Sequence, residues 1–300
     1  MSKDSFSIRL AYTGLPPDVG TLPDEVVGVR IRKEDHVYTV DLKKPDFKGS
    51  YGKLYRLDNE YILKIISYEN WYQDDTEEER SERDKSMKKT LDSVLNMNSP
   101  HIIDFTHFYN GAIQIMHYGG RDLESKIPDV DPDIFSAFLY HLLGSLVEKR
   151  LLCTDIDLAN IVFDGKRFRL IDLDGIVTIG HAVNIVARYP LFKSYCTELS
   201  AKTESKKCIL QMVYSFIVCE CRFWLAHYAI PFDVHDTIFY NAASITEEKE
   251  GMNNHHFKKY IMPHFQIPPK LTQLLFTVLE MQYTSDTELL EHLEKLVLIK

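Results

Sequence analysis

The chain has 300 residues, 45% hydrophobic and 26% charged, ordinary proportions for a globular protein and enough to bury a sizeable core. A net charge of −9 with no broad basic field argues against a dedicated nucleic-acid binder. Cys153, Cys196, Cys208, Cys219 and Cys221 show no C-x-x-C pair and no regular spacing, which speaks against a disulfide scaffold and for reduced thiols.

Residues 1–30 hold Gly14, Pro16, Pro17, Gly20 and Pro23 and little periodicity, and read as an N-terminal extension, either an arm or a segment packed on the domain. The opening MSKDSFSIRL lacks the apolar core of a signal peptide. His36–Leu42 alternates apolar and polar residues like a half-buried strand. Next comes DFKGSYGKLYRLDNEYILKII, in which Gly49, Ser50, Tyr51 and Gly52 precede the strand Lys53–Leu57. An Asp58-Asn59 turn leads into Tyr61–Ile66, with Lys64 inside an otherwise apolar run. Lysine seldom sits among buried aliphatics unless its ammonium meets an anion. Two such strands behind a glycine-containing turn can cover and grip a triphosphate; an edge hairpin whose Lys64 snorkels to water explains the same residues.

Within 74–97, Met87, Leu91, Val94 and Leu95 form a narrow apolar stripe at helical spacing. Ala112–Met116 reads as a strand entering HYGGRDLESKI, and Asp133–Arg150 as an amphipathic helix with Ile134, Phe138, Leu142 and Leu146 on its apolar faces. A second apolar helix spans about Lys206–Tyr228; its most apolar part, Cys208–Cys219, is too short and interrupted to span a membrane. Segments near Ile245–Glu250 and Thr272–Tyr283 and a helix over Asp286–Leu298 complete an α-rich C-terminal part.

The most informative stretch is Leu151–Gly175, LLCTDIDLANIVFDGKRFRLIDLDG. Asp155 and Asn160 precede the short apolar strand Ile161–Phe163, and a second strand, Phe168–Ile171, runs directly into Asp172. Asp164-Gly165 between them is a strong hairpin signal. Such a hairpin brings Asn160 and Asp172 together at one end. Paired oxygen ligands on rigid elements suit Mg²⁺, which keeps several waters and takes further ligands from phosphates. Asp155, five residues before Asn160, is placed to orient or deprotonate a hydroxyl nucleophile. Taken singly, each of these residues also suits a strand-end turn.

A glycine loop, a strand lysine, D-x-x-x-x-N and I-D-x-D, in that order, resemble the eukaryotic-like protein kinase superfamily, and the chain is identified as an atypical, divergent member over about residues 45–225. The resemblance implies an α+β, bilobal fold: a small β-rich N-lobe over 31–116 and a larger helical C-lobe over 117–300, together one catalytic domain. It implies Mg-ATP as cofactor and a protein serine or threonine hydroxyl as acceptor. Gly49, Ser50, Tyr51 and Gly52 correspond to the glycine-rich loop and Lys64 to the ATP-anchoring lysine. Glu82, with Glu78 or Glu79 behind it, corresponds to the helix glutamate that pairs with that lysine. Met116 takes the gatekeeper place, and His117, Tyr118 and Gly119 the hinge that offers backbone groups to adenine, followed by a short helix. Gly119-Gly120-Arg121-Asp122-Leu123-Glu124 is similar to the haspin-like branch. Asp155 corresponds to the catalytic base, and Asn160, Asp172 and Asp174 to the metal ligands.

Several positions depart from the family pattern. Phe47 stands where the first loop glycine belongs. Cys153-Thr154 replaces His-Arg before Asp155, which removes the usual link to a phosphorylated activation segment. Asp157 replaces the lysine that neutralises the transferred phosphoryl group, and an acid there is expected to lower activity. No Ala-Pro-Glu closes the activation segment. Three readings follow: an active protein kinase, a pseudokinase acting as a binding module, and a small-molecule kinase, for which Asp174 and the missing Ala-Pro-Glu speak. The compact core with eroded motifs is similar to kinases of large DNA viruses and secreted bacterial effectors, and the expected setting is intracellular and soluble, cytoplasmic or nuclear.

Overall fold

The computed structural model describes residues 6–12, 26–33, 35–48, 52–67, 102–108, 111–153, 155–172, 176–180, 184–185, 199–200, 205–231, 271, 278 and 283–298. It is an α+β protein whose chain divides into two compact units, Met1–Leu95 with Pro100–Gly119, and Asn96–Ser99 with Gly120–Lys300.

The first unit is built from two antiparallel sheets. One has the order β1 (Phe6–Tyr12), β2 (Val26–Lys33) and β3 (His36–Asp41). The other contains β4 (Phe47–Lys48), β5 (Gly52–Arg56), β6 (Tyr61–Ser67), β7 (Ile102–Phe108) and β8 (Gly111–His117), in the order β4-β5-β6-β8-β7. Residues 1–30, read as either an arm or a segment packed on the domain, supply β1 and most of β2, and Val29 packs into the core of the unit. The alternation of β2 is real but short: Val29 and Ile31 face inward, while Arg30 and Arg32 are exposed.

The core of this unit joins Val29, Ile31 and Leu42 to Tyr55, Leu63, Ile113 and Ile115. Burying such aliphatic side chains is worth roughly 1.5–3 kcal/mol each. Register makes Tyr55, Leu63 and Ile115 cross-strand neighbours on this inner face, so Lys64, Gln114 and Met116 must project from the opposite face. The β5–β6 turn is held by Asp58, whose carboxylate accepts the N–H groups of Glu60 (2.6 Å) and Tyr61 (2.8 Å) and the Tyr38 hydroxyl (2.6 Å).

In the second unit, α1 (Pro132–Glu148) starts where Asp131 accepts the Asp133 N–H at 2.9 Å, with Pro132 preset for the first turn. Its buried stripe is Phe135, Leu139, Leu142, Leu143, Leu146 and Val147, whereas Ile134, expected on the apolar face, is 52% exposed. Strand β9 (Leu151–Cys153) leads to a 3-10 turn, Leu158–Asn160, and to the hairpin of β10 (Ile161–Phe163) and β11 (Phe168–Leu170). Strand β12 (Ile176–Thr178) returns antiparallel to β9, and β13 (Asn184–Ile185) pairs with β14 (Leu199–Ser200).

Helix α2 (Ser205–His227) is the centre of this unit, and α3 (Asp286–Leu298) packs with it and with α1. Phe135 of α1 stacks on Phe223 of α2 at 4.0 Å between centroids and meets Phe168 of the hairpin edge-on at 5.0 Å. Helix α2 matches the apolar helix expected over about Lys206–Tyr228, and its most apolar 18-residue window, of mean hydropathy 1.4, could cross a membrane by length and composition. However, 89% of its most apolar window is buried within the protein. The segments near 245–250 and most of 272–283, like the helix expected over 74–97, lie outside the described residues.

Asp58 gives this fold a pH signature. Partial burial opposes its charge, but the Tyr38 hydroxyl and the Glu60 and Tyr61 amides outweigh that and hold its carboxyl below the usual range. A depressed carboxylate adds stability that is present above the unfolded value of about 3.9 and is lost as pH falls through the folded value. Asp58→Ala should lower stability at pH 7 by about 1–2 kcal/mol, a figure already discounted for partial exposure. In urea titrations its gap from the parent should close below about pH 4.

Candidate functional site

The β10–β11 hairpin forms where the sequence places it. Asp164 Oδ1 accepts the Lys166 and Arg167 N–H groups, both at 2.9 Å, and Gly165 takes the turn at φ +89°, a conformation suited to glycine. Asp164 also holds the Arg169 guanidinium at 2.9 Å, bracing the turn against β11. Ile161 pairs with Leu170, and the Ile171 N–H donates to the Asn160 carbonyl at 2.8 Å, so Asn160 and Asp172 leave the hairpin at the same end.

Asp155 belongs to that end as well. The Asn160 side-chain amide donates to both the backbone carbonyl and Oδ2 of Asp155, each at 3.0 Å. This fixes the spacing of the two side chains and turns Asn160 Oδ1 away, where it accepts no hydrogen bond among the described residues. Asp172 is exposed and sits at φ +59°, a left-handed backbone that non-glycine residues seldom adopt and that concentrates at functional sites. The β9–β12 pairing, Cys153 opposite Ile176, closes the loop from below. Burial, followed by the charges of Asp155 and Asp172, pushes the Cys153 thiol well above its ordinary range, so this cysteine is a neutral packing residue and not a nucleophile.

Asp157, where the family pattern has lysine, does something the sequence did not suggest. It is 2% exposed and its side chain caps the 3-10 turn through the Ala159 N–H at 3.2 Å. Its Oδ2 accepts from Arg222 Nη1 at 2.6 Å, while Arg222 Nη2 donates to Glu124 at 3.0 Å. The acid thus points into the core toward α2. The family's phosphoryl-neutralising lysine nevertheless has no counterpart at this position.

Glu124 lies in the segment that follows the expected hinge. Leu123 N–H donates to the carbonyls of Leu158 (3.0 Å) and Ile161 (2.9 Å), and Asp122 bridges to Val162. Asp122 also accepts the Ser125 N–H at 2.7 Å and hydroxyl at 2.9 Å. Residues 123–125 make a hydrogen-bonded turn instead of the expected short helix, because Asp122 and the Leu123 amide commit the backbone to the loop beside them. The hinge residues themselves belong to the first unit. His117 stacks on Tyr61 at 5.6 Å, and Tyr118 N–H donates to Glu60 at 2.7 Å, which removes it from the donors that could meet a base.

Also in the first unit, Lys64 is 7% exposed and faces across strands to Gln114, which is 1% exposed. A Cβ at Gly52 would lie 3.3 Å from Lys64 Cε and 3.0 Å from the Ile65 carbonyl, so the lysine stem occupies room that only glycine leaves. Met116, 4% exposed, shares the Lys64 face. Gln114 was not singled out in the sequence; a glutamine within AIQIM was its only signal. Its Nε2 is buried with no hydrogen-bond acceptor among the described residues. Gly49, Ser50, Tyr51, Glu82 and Asp174 lie outside the described residues, although β4 and β5 pair on either side of 49–51.

The donor set suits Mg²⁺: one unengaged carbonyl oxygen on Asn160 and one exposed carboxylate on Asp172, at one hairpin end, match an ion that takes few protein ligands. Among the described residues no group of three or more His, Cys, Asp or Glu side chains is placed to hold a metal. Any ion here would therefore complete its shell with water and ligand oxygens.

Arg222→Met should destabilise the chain by about 3–5 kcal/mol, because it strands the Asp157 charge in the core. Arg222→Met with Asp157→Asn should recover part of that loss, as read by urea denaturation.

Compared with protein-family models and with curated proteins, the chain finds no match.

Proposed function

We propose that the chain is a divergent protein-kinase-like phosphotransferase that moves the γ-phosphoryl group of ATP to a serine or threonine hydroxyl of a protein. The observation that carries this reading is the hairpin end at which the Asn160 amide holds Asp155 while Asp172 stands exposed in a left-handed conformation. A turn made for structure alone does not need two acids and an amide oxygen directed to one end. Further support comes from the five-stranded antiparallel sheet, whose third strand along the chain carries the buried Lys64, as the kinase pattern requires.

In this reading Lys64 grips the α- and β-phosphates, and Gly52 keeps the space its stem needs. Asn160 Oδ1 and Asp172 would hold Mg²⁺, which when bound neutralises charge on the β- and γ-phosphates. Asp155, oriented by the Asn160 amide, accepts the proton of the attacking hydroxyl as the oxygen bonds to phosphorus and the γ-phosphate leaves ADP. Asp157 anchors the loop through Arg222, and the absence of a lysine at this position is expected to slow transfer.

A pseudokinase acting as a binding module is the second reading, favoured by Phe47, which is 55% exposed where the loop pattern has glycine. Transfer of label from γ-³²P-ATP to the chain or to added protein separates the two. Wild type should label, and Asp155→Asn should lose labelling by about 100-fold or more, the scale of a lost general base, while keeping the rise in Tm given by Mg-ATP. Lys64→Met should lose that rise. Equal labelling by Asp155→Asn removes Asp155 from its role, and an ATP-dependent Tm shift without labelling in wild type favours the module.

A further inference from the structure

The β1-β2-β3 sheet has no part in the chemistry above, yet its outer face carries a concentrated charge. Arg9 lies directly opposite Arg30 in the register, and Arg32 follows two positions on along β2. All three are exposed, because Val29 and Ile31 take the inward positions of β2. Like charges placed directly across two strands destabilise a sheet. Here neither an ion pair nor a hydrogen bond offsets them among the described residues. Asp41, the acid on the same face, sits opposite Gly28 and has its carboxylate engaged by the Lys43 N–H at 3.0 Å. In a chain with a net charge of −9, three clustered guanidinium groups without an ion pair among the described residues call for a ligand.

We propose that this face binds a phosphorylated protein segment, with Arg9, Arg30 and Arg32 clasping one phosphate monoester. The spacing points to a compact anion: cross-strand Cα atoms lie about 5 Å apart and alternate residues on one strand about 7 Å apart. Three forked donors within that triangle match the three oxygens and roughly −2 charge of a phosphate ester better than a string of single carboxylates. The exposed hydroxyls of Ser7, opposite Arg32, and Thr39, opposite Arg30, add neutral donors beside them. Val37, 43% exposed and opposite Arg32, offers an apolar contact for a neighbouring side chain of the segment. A nucleic-acid strand fits less well, because these outward positions carry no aromatic ring for base stacking and the cations form a triangle, not a row. A lipid surface fits less well for want of a broader apolar or lysine-rich rim.

The proposal stands apart from the phosphotransferase reading, and its test needs no ATP. Fluorescence anisotropy of the full chain is measured with a fluorescein-labelled acidic peptide bearing one phosphoserine. The comparison arms are the unphosphorylated peptide, a single-stranded oligonucleotide and phosphatidylserine vesicles. The phosphopeptide should bind at least about tenfold tighter than its unphosphorylated form. Arg9→Gln/Arg30→Gln/Arg32→Gln should lose at least that factor while Tm holds or rises, since the like-charge pair is gone. Arg30→Gln alone gives the same direction if the triple variant folds poorly. Absence of phosphopeptide binding, equal affinity for both peptides, undiminished binding by the variants, or tighter binding to oligonucleotide or vesicles would each overturn the proposal.

Discussion

The buried contact between Arg222 and Asp157 is the constraint on which the candidate site depends. Arg222 is 0% exposed on the central helix, and taking a guanidinium out of water costs several kcal/mol unless partners restore its interactions. Asp157 and Glu124 do so from two different segments, the loop after Cys153 and the turn after Gly120. Packing the helix and pairing its arginine therefore dictate where both segments run. With Asp157 drawn into the core, the flanking residues Asp155 and Asn160 are left at the loop's accessible side, already hydrogen-bonded to each other.

The hairpin then adds a second level of order. Its short strands are pinned at one end by the Asp164 turn and at the other by the Asn160–Ile171 backbone bond. The strained backbone at Asp172 is tolerated because the chain must leave β11 and return to pair β12 with β9. Strain that serves closure also stands a carboxylate out of the hairpin, and the two uses are compatible.

In the first unit a comparable economy holds. One face of the five-stranded sheet is spent on the apolar core shared with β1-β2-β3, which forces Lys64, Gln114 and Met116 together on the other. The smaller sheet divides likewise: its inner positions stabilise the unit, and its outer positions carry charges that no stability argument explains.

Much of this was legible in the sequence because it is local. Asp-Gly between two apolar runs specifies a hairpin, and a hairpin of known register places Asn160 and Asp172 at one end without any tertiary contact. A lysine within YILKII announces a buried cation, and the long apolar periods announce α1 and α2. What the sequence could not determine are relations between distant positions. Arg222 meets Asp157 across 65 positions, and only that meeting turns an apparently harmful acid into a core anchor. Gln114 beside Lys64 and Arg9 opposite Arg30 are consequences of strand register, which is set by sheet packing over the whole unit. The β1–β2 pair stayed hidden because its alternation is brief and flanked by glycines and prolines. Its inward and outward residues separate only once Val29 and Ile31 have a core to enter.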